Sequence, residues 1–294
     1  MTPGRRFVVF IALAATLSSC RRPAASALRD DLGREVRVPA PVARVVTLAP
    51  NVTEIVAAIG CSSLLVGTDN FSNVPSSVAS LPKVGGVQPS PELIARLSPD
   101  LVVASSSGSP GLSSVLASMS IPMYSVRTDR SADVSRVMTA LGTLMRCGKP
   151  EAAKVEFEKQ LSAQRRSRPS HPRVLFAVWP DPLYVAARET FVDDLFELTG
   201  AQNAVAPSVK GWPQYSLEAV IANPPDIILY PRASGRKDGM EAMFRTDSRW
   251  RALPAVSGNR LFAVDEDLFS RPGPRLPRAA AILNEILDSV EKRK

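Results

Sequence analysis

The sequence predicts two α/β lobes, each a mostly parallel sheet covered by helices on both faces, joined by a long helical stretch. Three observations lead there. Short apolar runs of strand length alternate with helical patterns on either side of the chain's middle. Between Ser131 and Arg168 that alternation gives way to helical spacing alone. One pattern also recurs: ELIARLSPDLVVA at 92–104 and EAVIANPPDIILY at 218–230 each run from glutamate through an apolar helical turn and Pro-Asp into a four-residue apolar strand. Glutamate and aspartate lie eight residues apart in both copies. The expected organisation is a first lobe over 30–130, a linking helix over 131–168 and a second lobe over 169–294.

The chain opens with Arg5 and Arg6, then an almost unbroken apolar run from Phe7 to Leu17, then Leu17-Ser18-Ser19-Cys20. A charged start, a short apolar core and small residues before a cut make residues 1–19 a secretory signal. The run is too short to span a bilayer as a stable helix. Cys20 stands at the cut, where its thiol is placed to carry a diacylglyceryl group, and residues 20–29 are expected as a tether. Asp30 to Pro39 reads as a small hairpin turning at Gly33.

Strands are expected at Arg44–Leu48, Leu64–Gly67, Leu101–Ala104 and Met123–Val126, with helices at Asn51–Ile59, stopped by Gly60, and at Leu112–Ser118. In the middle stretch Val134, Val137, Met138, Leu141, Leu144 and Met145 repeat at helical spacing; after a break at Gly148-Lys149-Pro150, Ala153, Phe157 and Leu161 continue the stripe. Beyond it come strands at Arg173–Val178, Ile227–Tyr230 and Arg260–Val264, a helix at Phe191–Leu198 and a final amphipathic helix from Leu276 to Val290. The proline before each repeated aspartate separates helix from strand. Each repeated glutamate sits in the first turn of its helix, where the helix dipole favours it. Two such glutamates at matching places in two lobes also read as a symmetric pair of acidic knobs.

Composition narrows the function. Apolar residues make up 45% of 294, enough for real cores, and no later segment is long and apolar enough to cross a membrane. The net charge of +8 becomes +6 once Arg5 and Arg6 leave with the signal. Its basic residues are scattered, with clusters at Arg165-Arg166-Ser167-Arg168 and Lys292-Arg293-Lys294 and no aromatic-interleaved stripe, so nucleic acid is not an expected partner. His171 is the single histidine, which excludes a zinc or manganese site built mainly of imidazoles. No G-x-S-x-G elbow, P-loop or G-x-G-x-x-G is present, and His171 sits at a lobe boundary, so no enzyme is expected. Cys61 and Cys147 lie in different elements and are read as two separate buried thiols.

Asp31-Leu32-Gly33-Arg34, Leu48-Ala49-Pro50-Asn51-Val52-Thr53-Glu54, Val84-Gly85-Gly86 and Trp212-Pro213-Gln214 followed by Ser216-Leu217-Glu218 resemble motifs of the periplasmic binding proteins whose lobes are joined by one long helix (class III). The resemblance covers roughly 30–290. That family serves ABC importers of cobalamin, ferric siderophores and haem, and the tryptophan loop is similar to its vitamin B12-binding branch. The resemblance implies an exported, monomeric lipoprotein, periplasmic or on the outer face of a bacterial membrane, with no cofactor. It would capture cobalamin or a related corrinoid between its lobes and deliver it to a permease dimer and its ATPase. It makes Glu92 and Glu218 the glutamates that meet permease arginines. It lines the ligand site with Pro50, Asn51 and Phe71 on the first lobe and Tyr184, Trp212, Asp267 and Arg271 on the second. Phe71 stands where cobalamin binders often carry tyrosine, and the Gly86-Val87 loop lacks a tryptophan that some of them place there. Asp267 and Arg271, at i and i+4, read equally as a surface ion pair. Arg127, Arg188 and Arg271 keep a siderophore open as ligand. Tyr124, Tyr184, Tyr215 and Tyr230 keep haem open. A structural lipoprotein without a small-molecule ligand is the reading from another class.

Overall fold

The computed structural model describes residues 26–108, 111–233 and 239–292; the expected signal segment and Cys20 lie outside them. The chain opens with an antiparallel hairpin of β1 (Ser26–Arg29) and β2 (Glu35–Val38). The expected tether to residue 29 is thus too long, because its last four residues pair with β2. At the turn, the Asp30 carboxylate accepts from the backbone N–H of Leu32 and Arg34 and from the Arg34 guanidinium. Burial pushes the Asp30 carboxyl up, but the Arg34 hydrogen bonds and the Ser125 N–H outweigh it, and its pKa lies below the ordinary value. This anchorage supports the hairpin above the ordinary carboxylate pKa and is lost as pH falls through the lowered one.

The first lobe runs β3 (Val45–Thr47), α1 (Pro50–Ala58), β4 (Leu65–Thr68), α2 (Pro91–Arg96), β5 (Leu101–Ser105), α3 (Leu112–Ser118) and β6 (Met123–Val126). Its sheet is parallel throughout, in the order β4-β3-β5-β6. Alternation along each strand feeds two cores: Val45 faces α1 and the middle helices, while Val46 and Val102 join Ile94 and Leu116 under α2 and α3.

Two helices, not one, follow: α4 (Ser131–Met145) and α5 (Pro150–Ser162). The apolar stripe breaks in sequence at Gly148-Lys149-Pro150, and the turn chemistry there divides the helix. Arg146 and Gly148 adopt left-handed backbone, and Pro150 opens α5 at its first turn. A Cβ on Gly148 would stand 1.8 Å from the Ile59 carbonyl oxygen, so only glycine lets the turn lie against the end of α1. That close approach also corrects the reading of the cysteines. Cys61, just past α1, and Cys147, just past α4, form a disulfide with Cα atoms 5.7 Å apart. Since they lie 86 residues apart, replacing both by serine should lower stability by up to about 4 kcal/mol, read from urea unfolding with and without reductant.

The second lobe comprises β7 (Arg173–Pro180), β8 (Leu183–Val185), α6 (Phe191–Leu198), β9 (Gln202–Asn203), α7 (Leu217–Ala222), β10 (Ile227–Arg232), α8 (Gly239–Thr246), α9 (Ser248–Arg251), α10 (Pro254–Ser257), β11 (Leu261–Asp265), α11 (Glu266–Phe269) and α12 (Leu276–Glu291). Its sheet order is β11-β10-β7-β8, with β9 beside β7 and β8 antiparallel. Ile227 and Leu229 face inward to α6 and α12; Ile228 and Tyr230 face outward to Phe244 and Trp250. The inward faces of both sheets share one core, which runs from Ile55 through Leu141 and Phe157 to Phe196 and Leu283. A shared dry core resists independent movement of the lobes.

Candidate functional site

The C-terminal strand ends of the two sheets meet, which is where open α/β sheets leave a crevice. Two clusters of charged contacts join the lobes there. On one side Arg130, the residue before α4, and Ser131 bind the Asp194 carboxylate on α6. On the other, Glu54 of α1 receives Arg275 at 2.7 and 2.9 Å and Arg271 at 3.5 Å. The Glu54 side chain is only 3% exposed. Arg271 also reaches Asp267 at 2.5 Å, the Asn73 side-chain oxygen at 2.7 Å and the Phe71 carbonyl at 3.3 Å. The Glu54 hydrogen bonds hold the Arg275 pKa above its ordinary value against burial, which acts to lower it.

On the first lobe, a cavity of about 520 Å³ is lined by Pro50, Asp69, Phe71, Val87, Ser107 and Leu112, among others. Phe71 presents 53% of its surface. Its loop is held from beneath: buried Asp69 accepts from the Phe71 N–H at 2.8 Å and from the Ser72 hydroxyl at 2.5 Å. Thr53 and Thr47 extend that hydroxyl chain inward. The Phe71 wall is therefore set by Asp69 on its own lobe and by Arg271 from the other. A groove of about 620 Å³ beside β2 and α3 is lined by Arg34, Arg37, Ser114 and Met123 and by no aromatic ring.

The structure brings some expected ligand residues together and separates others. Pro50 and Phe71 line the cavity. Asn51 is buried, its amide donating to Thr128 at 2.8 Å and to the Pro272 carbonyl at 3.3 Å across the lobes. Asp267 and Arg271 have their partners within the interlobe clasp. Tyr184 and Trp212 are exposed on the second lobe, and Trp212 packs against Phe191 with ring centroids 5.6 Å apart. The sequence gives Glu54 no role beyond its place in the Leu48–Glu54 motif, and none to Arg275; the further signal for Glu54 is a charged residue on the apolar side of α1. The sequence reading also passed over Trp179, one residue beyond the expected strand.

The repeated glutamates are presented identically. Ser90 caps α2, accepting from the Leu93 N–H at 3.2 Å, and its hydroxyl donates to Glu92 at 2.7 Å. Ser216 caps α7 the same way, with the Ala219 N–H at 3.2 Å and Glu218 at 2.7 Å. Both carboxylates are exposed, and the serine hydroxyl, with local backbone N–H, lowers each pKa below its ordinary value. Each therefore keeps its charge to a lower pH than an ordinary glutamate does. Among the described residues, no group of three His, Cys, Asp or Glu side chains is arranged to hold a metal ion.

Known proteins resemble this chain over most of its length. The vitamin B12-binding protein of Vibrio parahaemolyticus is 28% identical over 259 residues, covering 86% of this chain and 92% of that one. The vitamin B12-binding protein of Pectobacterium atrosepticum is 30% identical over 247 residues, covering 81% and 85%. Among solved structures, the periplasmic vitamin B12-binding protein BtuF of Vibrio cholerae superposes with a TM-score of 0.70 at 26% identity, covering 86% of this chain and 99% of that one. The periplasmic heme-binding protein RhuT from Roseiflexus sp. RS-1 gives 0.72 at 26%, covering 85% and 99%. The family model for periplasmic binding proteins matches residues 45–268, across both lobes, and the chain belongs to that family.

Proposed function

We propose that this protein captures cobalamin or a related corrinoid between its lobes and hands it to an ABC permease dimer driven by its ATPase. Lipid at Cys20 holds it to the membrane in this reading, and Cys20→Ser should move it from the membrane fraction to the soluble one. The observation that carries the transport role is the mirrored Ser-x-Glu cap, which offers one fixed, charged knob per lobe. Such pairs give registration and encounter rate more than raw affinity. The corrinoid assignment draws on the relatives named as vitamin B12-binding proteins and on the large exposed rings of Phe71, Tyr184 and Trp212. Capture requires no chemistry: a largely pre-formed crevice takes up a bulky ligand with flat apolar and polar parts.

Calorimetric titration of the full chain in mild detergent with cyanocobalamin should give one-to-one binding at micromolar Kd or tighter. Haem or a ferric siderophore bound in its place would keep the importer role and change the cargo. Silence from all three would favour a structural lipoprotein. One observation favours haem as second reading, namely the exposure of Tyr184. Tyr124 donates to the Arg29 carbonyl, Tyr230 to Glu241, and the Tyr215 oxygen accepts from the Ala206 N–H. Tyr184→Phe removes a candidate haem-ligating oxygen while keeping the ring. It should leave cyanocobalamin affinity within about threefold of wild type; a lost haem Soret band in that variant would point to haem.

A further inference from the structure

The next-to-last residue of β7 carries a side chain that neither the core nor the interlobe contacts use. Trp179 is 47% exposed, and its indole N–H donates to the Asp181 carbonyl at 2.8 Å. With its polar edge satisfied in its own turn, the ring offers a flat apolar face in a fixed orientation. A register shift between Ala177 and Trp179 resets the alternation, so that Trp179 is exposed on the face it shares with Tyr184 while Pro180 is buried. Trp179 then stands directly opposite Tyr184, and directly opposed residues of an antiparallel pair share a face. Tyr184 is 40% exposed and bridges through its backbone to Gln214, two residues from the exposed Trp212.

Topology puts these rings at the crevice. β11, at one edge of the sheet, leads into Asp267 and Arg271, which touch Asn73 and Phe71 of the first lobe. At the other edge, Trp212 rests on Phe191, the first residue of the α6 helix whose Asp194 holds Arg130. The C-terminal end of β7 lies between these two joints. Large apolar rings exposed in a row are uncommon on a surface without a partner.

We propose that Trp179 and Tyr184 form a stacking platform for the flat face of a conjugated macrocycle of the corrinoid or tetrapyrrole class, which makes Trp179 a ligand-contacting residue. The proposal rests on the capture reading above and adds a second-lobe wall opposite Phe71. Stacking tolerates differences at the macrocycle rim, because it reads the ring face. Trp179 thereby selects for a flat ring over a compact chelate.

The test is titration of full-length wild type, Trp179→Ala and Trp179→Phe in mild detergent with cyanocobalamin and with haem. Trp179→Ala should weaken the macrocycle that the wild type binds about tenfold or more, and Trp179→Phe should recover most of the loss. Far-UV circular dichroism and the urea midpoint should match wild type in both variants, since the ring is exposed. Wild type that binds while Trp179→Ala binds equally well overturns the platform alone, and if that variant also loses uptake in cells, the ring belongs to the permease-facing surface. Wild type that binds neither macrocycle overturns the capture reading and the platform with it.

Discussion

Glu54→Ala should cost the fold about 3–5 kcal/mol, seen as a lowered urea midpoint, because it leaves the Arg275 guanidinium without a carboxylate at a buried joint and leaves Arg271 with the Asp267 carboxylate alone. Arg275 and Arg271 converge on that one carboxylate from the second lobe, and their side chains are 25% and 13% exposed. Glu54→Gln keeps the shape and one hydrogen-bonding oxygen but removes the charge, and should lose less. The control is the Arg249–Asp247 pair at 2.7 Å, where Arg249 is 53% exposed. Arg249→Ala should leave the urea midpoint near that of wild type, because water already solvates that pair. Equal losses at Glu54 and Arg249 would refute the clasp as an interlobe joint. Ligand affinity should fall in Glu54→Ala as well, because Arg271, released from Glu54, also holds the Phe71 carbonyl.

The second large effect is expected in cells. Glu92→Arg with Glu218→Arg should cut uptake at least tenfold while leaving the purified protein's cyanocobalamin affinity unchanged. Both carboxylates lie outside the crevice contacts, each held by the serine that caps its own helix. Charge reversal would replace attraction to the proposed basic permease surface with repulsion, which acts on encounter and registration and leaves the pocket intact. Retained uptake would remove the docking role. Impaired binding in vitro would mean that the helices α2 and α7 shape the pocket. Each single reversal should give an intermediate loss, since the other lobe keeps its knob.

How far the sequence could be read depended on the range of the interaction. Strand alternation and helix stripes are local, so the strands at Leu101, Met123 and Ile227 and the helices at Leu112 and Phe191 were legible within a residue or two. The echo was legible because both copies keep one spacing, and the serine caps add the local geometry that makes the two glutamates equivalent. Trp179 escaped because the register shift that leaves it exposed is a property of the β7–β8 pair, and single-strand periodicity carries no trace of it. The helical connection was legible over 131–162 with its break at Gly148-Lys149-Pro150, but residues 163–168, expected within it, are not helical, and the left-handed Arg146 and Gly148 seated against α1 make two helices of it.

By itself, then, the sequence determined two mostly parallel α/β lobes, a helical connection, an apolar surplus sufficient for their cores, and a matched pair of charged helix starts. Periodicity and capping act over a few residues, and they are written in order along the chain. Only the tertiary structure decided that Cys61 meets Cys147, that Glu54 gathers Arg271 and Arg275, and that Arg271 reaches the Phe71 carbonyl. Those pairings join residues from 86 to more than 200 positions apart. Their distances follow from how two sheets and a helix pair share one core, a sum over many contacts that no local pattern encodes.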